Sequence, residues 1–231
     1  LSWPQDIAVS PDGRTLLVAL NLADRAAVVD LPTGTVRFVT VGSYPYGAAI
    51  LADGRTGLIS EEGSGTVSVI DLASASRLQD ISVGPPLSHP EGLGLDSRAG
   101  RAFVALANTD QVAVLDTRFY RVIRTLSVAR PAGIGESPVA LTVTPDRHHL
   151  LVADAGGDDL AVFGLGKLAL QGRIPTADYP VAAFEPPGPR LPCQSARRSG
   201  SPNRPGSRRR RSPRCHTLAW VSAKGLGLGP N

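Results

Sequence analysis

The sequence predicts an all-β chain built from repeated four-stranded units, and three observations predict it. One phrase returns four times: "PDGRTLLVAL" at 11–20, "ADGRTGLISE" at 52–61, "SRAGRAFVAL" at 97–106 and "PDRHHLLVAD" at 145–154. Each return follows a proline (Pro4, Pro45, Pro90, Pro138), with Pro180 opening a fifth, at steps of 41, 45, 48 and 42 residues. Each unit also divides into four short apolar runs rich in Val, Leu and Ile, separated by turn-forming residues, which is the pattern of strands rather than helices.

In the first unit the runs are "DIAVS", "TLLVAL", "AAVVD" and "TVRFVTV". Between the first two stands "PDG": proline presets a turn's φ, aspartate bonds back to nearby backbone, and glycine accepts positive φ, so a tight hairpin follows. Ala99 and Arg147 occupy the glycine position in two later copies, where a reshaped or mildly strained turn is expected. Asp30, Asp71 and Asp116 recur where third strands end, and recurrence across units points to turn capping, not catalysis. From each of the first four prolines the next apolar strand starts 12 residues on, at Leu16, Gly57, Ala102 and Leu150. The length variation falls just before the proline, in "VGPPLSHPEG" and "VARPAGIGESP", as in surface loops that tolerate insertion.

A four-stranded unit of this period is a β-propeller blade. Apolar residues at successive strand positions agree, because each blade is sandwiched between two others. The predicted architecture is about four blades (1–42, 43–84, 85–130 and 131–176) and the start of a fifth from 177, with the ring incomplete in this chain. Val9, Val18, Val28, Val67 and Val104 are expected to be buried between blades.

The fifth unit is interrupted. By the spacing of the others its second strand should start near 192, yet the run resembling it, "LAWVS", starts at Leu218. The intervening 185–217 are rich in Arg, Pro and Ser, a composition expected to stay disordered, and the blade is expected to resume at 218–231. Nine arginines and no acid lie between 186 and 217, so the net charge of +4 hides a remainder of 15 basic and 20 acidic residues. A nucleic-acid function argued from overall charge therefore fails, and Arg208, Arg209, Arg210 and Arg211 would attract phosphate only if this segment works as a basic tail. The segment lacks aromatic side chains for base stacking, and the sequence favours an insertion or misread stretch instead. Both cysteines, Cys193 and Cys215, fall within it and offer no disulfide framework. No apolar run reaches the length of a membrane span.

The motifs "AVSPDGRTLLVA", "VVDLPTGTV", "SYPYGAAILADGRTGLIS" and "TVSVIDLAS" resemble the YVTN-type repeat of the YncE-like seven-bladed β-propellers over 1–184 and 218–231. "GRIPTADYP" at 172–180 and "VSAKGLGLGPN" at 221–231 are similar to the subset fused to an alkaline-phosphatase-type phosphoesterase domain. The resemblance implies an extracytoplasmic protein, periplasmic or secreted, of which this chain is a fragment. It also implies a loop face formed by the segments entering each blade and by the second-to-third strand loops.

On that face the sequence places Tyr44, Tyr46, His89, Glu91, Glu136 and Tyr179 from the entering loops, and Glu61 and Glu62 from the second-to-third strand loops. Such an acidic and aromatic mouth suits a cation or a polyol, with His89 as an extra ligand or base. No nucleophile elbow, phosphate loop, paired metal motif or dinucleotide fingerprint appears, so no catalytic residue, metal ligand or cofactor is assigned. The expected function is a non-catalytic scaffold that binds a partner or ligand through the loop face. The alternative is the propeller part of a hydrolase, lactonase-like or fused to a phosphoesterase.

Overall fold

The hairpins form as their turn residues require. In the computed structural model, which describes residues 2–133, 135–176 and 178–183 and the backbone of 190–195 and 218–222, Asp12 and Asp53 accept the backbone amides of Arg14 and Arg55. Gly13 and Gly54 take φ of +71° and +66°. In the fourth copy Arg147 itself adopts φ +63°, a strained conformation for a residue with a Cβ. In the third copy the left-handed position moves one residue on to Gly100, which spares Ala99. Asp30, Asp71 and Asp116 cap the turns after their strands, accepting amides from Thr33, Ser74 and Arg118. These bonds hold all three carboxyls below the usual carboxylate value.

Four antiparallel sheets result, each meandering in chain order. Blade one holds β1 (Pro4–Val9), β2 (Thr15–Leu20), β3 (Arg25–Asp30) and β4 (Thr35–Thr40). Blade two holds β5 (Pro45–Ile50), β6 (Thr56–Glu61), β7 (Thr66–Asp71) and β8 (Ser76–Ser82). Blade three holds β9 (Pro90–Asp96), β10 (Arg101–Leu106), β11 (Gln111–Asp116) and β12 (Arg121–Ser127). Blade four holds β13 (Pro138–Val143), β14 (His149–Asp154), β15 (Asp159–Gly164) and β16 (Ala169–Pro175). The recurring proline opens each first strand and pairs with the last residue of the second, as Pro4 with Leu20 and Pro90 with Leu106, next to a register shift. An edge strand is where a residue without an N–H can sit, and a bulge absorbs its missing ladder bond.

The blades stack in chain order, with β1 beside β5, β5 beside β9 and β9 beside β13. Successive residues of each inner strand face opposite neighbours. In β6, Ile59 packs toward blade one with Leu17 and Val28, and Leu58 packs toward blade three with Val104 and Leu115. In β10, Phe103 turns the other way, onto Leu150 and Phe163 of blade four. This two-sided burial is why the strands lack a polar alternation. Near the axis the first strands crowd: a Cβ on Gly47 would stand 2.6 Å from the Glu91 carbonyl, and one on Gly92 2.7 Å from that of Val139. Asp6 takes the same place in blade one and instead accepts the amide of Ala48 at 2.9 Å.

Val18, Val28, Val67 and Val104 are buried, but Val9 is 53% exposed. It lies on the face of blade one away from blade two, which no described sheet covers. A fifth sheet is formed by β17 (Pro180–Ala183), β18 (Arg190–Ser195) and β19 (Leu218–Ser222). Here the structure keeps the spacing and departs from the assignment of the Leu218 run to the second strand. The second strand is Arg190–Ser195, within the stretch expected as an interruption, and the Leu218 run takes third place instead of second. The pairing of Pro180 with Ser195 repeats the proline register of the other blades, which accounts for that choice. The remainder of 185–217, including Arg208 to Arg211, lies outside the described residues. Among the described residues no helix is long and apolar enough to cross a membrane.

Candidate functional site at the loop face

Every blade entry is made the same way. The residue before each recurring proline has positive φ: Trp3 +32°, Tyr44 +53°, His89 +57°, Ser137 +48° and Tyr179 +43°. Steric conflict with the proline ring disfavours helical backbone at such a position, so outside support is needed. At three of these five entries the previous blade provides it. Asp24, Asp110 and Asp158, themselves left-handed, accept the amides of Tyr44 at 3.0 Å, of Ser137 at 3.0 Å and of Tyr179 at 2.8 Å. In blade two Gly65 stands in their place, its carbonyl accepting the amide of Val83 as that of Asp24 accepts Val41. Glycine offers no carboxylate, so the entry through His89 lacks this staple.

At that junction the side chains converge. His89 Nδ1 lies 3.0 Å from Glu91 Oε1, and His89 Nε2 lies 3.8 Å from Glu62 Oε2. Glu62 follows β6 in blade two, while His89 and Glu91 belong to the entry and first strand of blade three. Ser60 fixes the frame: Gly47 donates to its hydroxyl, which donates in turn to the Glu91 carbonyl. Tyr46 lies close enough to Glu91 and Gln5, and Asn21 of blade one close enough to Glu62, to influence them electrostatically, and Asn21 donates to the Pro45 carbonyl. Burial pushes the Glu91 carboxyl up to about 7 against the lowering influence of His89, and raises Glu62 against the same influence. Burial first, and then the charge of Glu91, pushes the Tyr46 hydroxyl up to about 12.

Four residues read from the sequence (Tyr46, Glu62, His89 and Glu91) thus meet at one place. Tyr179 lies close enough to influence Tyr46 electrostatically. Tyr44 is exposed, with its ring against Gly63. Glu61 does not reach the surface: it is fully buried at the end of β6, and its carboxylate accepts the Gly42 amide and the hydroxyls of Thr66 and Ser68. Strand alternation explains this, since neighbouring residues point to opposite sides and only Glu62 reaches the mouth.

Glu136 is also withdrawn. It is buried with Asp154 and Asp159 around Arg173, whose Nη1 lies 2.8 Å from Asp154, 3.1 Å from Asp159 and 3.3 Å from Glu136. Arg130 joins Glu136 and Asp159. Burial, partly offset by Arg173 and reinforced by Asp159, pushes Asp154 up to about 8. This charge network escaped the sequence reading, because nothing local marks Arg173, near the far end of β16, as a partner of β14 and β15. On the opposite end of the blades a recess of about 220 Å³ is lined by Asp53, Leu95, Arg101 and Arg118, but Asp53 is occupied in capping its own hairpin.

No family model matches the chain, and no curated protein does. Among solved structures it is similar to Kuenenia stuttgartiensis hydrazine synthase, with 21% identity, a TM-score of 0.72, and coverage of 89% of this chain and 59% of that one. It is also similar to dihydro-heme d1 dehydrogenase NirN in complex with DHE, with 21% identity, a TM-score of 0.59, and coverage of 77% of this chain and 38% of that one. The chain therefore spans well under two thirds of either structure. At this identity the likeness shows the propeller fold alone.

Proposed function

We propose that this chain is a propeller scaffold, the ligand-binding part of a larger YncE-like protein that works outside the cytoplasm. It takes a hydroxylated or cationic small molecule at the mouth formed by Tyr46, Glu62, His89 and Glu91. One observation carries the reading: side chains from two adjacent blades converge where the entry lacks its carboxylate staple. Burial of both glutamates without a lysine or arginine partner among the described residues leaves negative charge that a cationic or hydrogen-bond-donating ligand relieves. The extracytoplasmic location and the fused phosphoesterase domain rest on the motif resemblance.

The test is a thermal-shift screen of polyols and polyamines against the purified chain, with and without a chelator. A ligand at 100 times its Kd stabilises by about 2.7 kcal/mol, a shift of several degrees. The reading expects a stabilising compound whose effect disappears in Glu62→Gln and in His89→Ala. A panel without effect, or one equally active on both variants, overturns it.

One observation favours the hydrolase alternative. A carboxyl held near neutrality beside an imidazole is suited to proton transfer. Turnover of a simple lactone or an aryl phosphate that vanishes in Glu91→Gln would replace the scaffold reading. The scaffold reading expects none.

A further inference from the structure

Two trios of potential ligand groups lie at the loop face, each with its atoms within 4.8 Å of one another: Glu62, His89 and Glu91, and Glu136, Asp154 and Asp159. The second is already neutralised, with the Arg173 guanidinium at its centre and Arg130 beside it. The first has no guanidinium or ammonium partner among the described residues. Its two contacts to the imidazole also differ in kind. The 3.0 Å approach of Glu91 to Nδ1 is a hydrogen bond, whereas the 3.8 Å from Nε2 to Glu62 is too long for one.

We propose that a divalent first-row transition ion bridges His89 Nε2 and Glu62 Oε2, with Glu91 locking the imidazole through Nδ1–H. This deepens the reading of the mouth as a binding site and rests on it. Bonds of about 2.0–2.2 Å to nitrogen and oxygen, opened at roughly 110–130°, place the two ligand atoms about 3.4–3.9 Å apart, which spans the observed gap. An imidazole that binds a metal through one nitrogen characteristically donates the other N–H to a carboxylate, and Glu91 is placed to receive it. The nitrogen donor favours zinc and its neighbours over calcium, which takes oxygen ligands. With two ligands from the described chain, the remaining coordination positions face the mouth, where a hydroxylated ligand can enter them.

The experiment is a zinc titration by calorimetry at pH 7.5, using the full chain stripped with chelator and with its cysteines alkylated. One saturable site is expected. His89→Ala and Glu62→Gln should abolish it, and Glu91→Gln should weaken it about 10–100-fold with unchanged stoichiometry. Circular dichroism of each variant establishes that it is folded. Should His89→Ala not fold, Glu62→Gln and the ligand-field absorption of cobalt on the unmodified chain decide the matter. No saturable binding, binding unchanged in all three variants, or binding that disappears in His148→Ala instead overturns the proposal. The ligand screen in the presence of chelator is independent of zinc, so a failed titration with a successful screen removes the metal and leaves the scaffold.

Discussion

Replacing Arg173 with methionine should cost about 3–5 kcal/mol of folding stability, the range for removing one partner of a buried ion pair. Arg173 reaches Asp154, Asp159 and Glu136 at 2.8, 3.1 and 3.3 Å and donates to the Val128 carbonyl. After the substitution Arg130 still serves Glu136 and Asp159, but Asp154, which is fully buried, has no other cation among the described residues. Methionine keeps the aliphatic packing of the arginine stem, so the loss reports charge and hydrogen bonding. At about 2–4 °C per kcal/mol for a domain of this size, the thermal midpoint should fall by about 10 °C. Urea unfolding at pH 9, above the Asp154 value of about 8 so that its carboxyl is ionised, measures the free energy, and Asp154→Asn in the methionine background should restore part of it, because a neutral amide needs no counter-ion. A loss below about 1 kcal/mol, or no recovery in the double variant, would refute the argument that Arg173 neutralises the buried carboxylates.

Three further outcomes follow from the same geometry. Asp154 should make the fold alkali-sensitive. Its folded value of about 8 lies above the unfolded value, so stability is full below about pH 4 and lost as the pH rises to about 8. Asp154→Asn should therefore match the unmodified chain at pH 4 and exceed it at pH 9, and an identical pH profile for the two would contradict the assignment. Asp110→Ala should cost more than Asp110→Asn, because alanine removes the acceptor for the Glu136 and Ser137 amides and still strains at φ +52°. Equal unfolding midpoints would remove the staple from the account. Phe103→Ala, emptying a fully buried site between blades three and four, should cost about 3–5 kcal/mol by denaturant unfolding. A value near zero would mean that those blades do not pack.

The repeat was legible because backbone chemistry repeats. The proline that opens each blade, the aspartates of three of the four hairpins and the capping aspartates after three of the third strands are local signals, and each acts as its residue type dictates. Val9 was misjudged for a reason outside its own strand, since burial in a propeller belongs to the neighbouring blade. At the mouth, Tyr46, His89 and Glu91 could be read from their distance to the entering proline. The difference between Glu61 and Glu62 depended on where β6 ends, which the sequence does not mark to one residue. The Gly65 exception was visible as a glycine where other blades have aspartate, but its meaning needed the bonds those aspartates make.

The central claim is that the mouth is organised before anything binds: the His89 imidazole is held between two glutamates instead of turning freely in solvent. Long-range proton–nitrogen NMR of the His89 ring, recorded on the intact chain at alkaline pH, tests this most directly. A single tautomer with the proton on Nδ1, donated to Glu91, and a bare Nε2 facing Glu62 is the predicted result. Tautomers mixed as in free imidazole and unchanged by Glu91→Gln would contradict it.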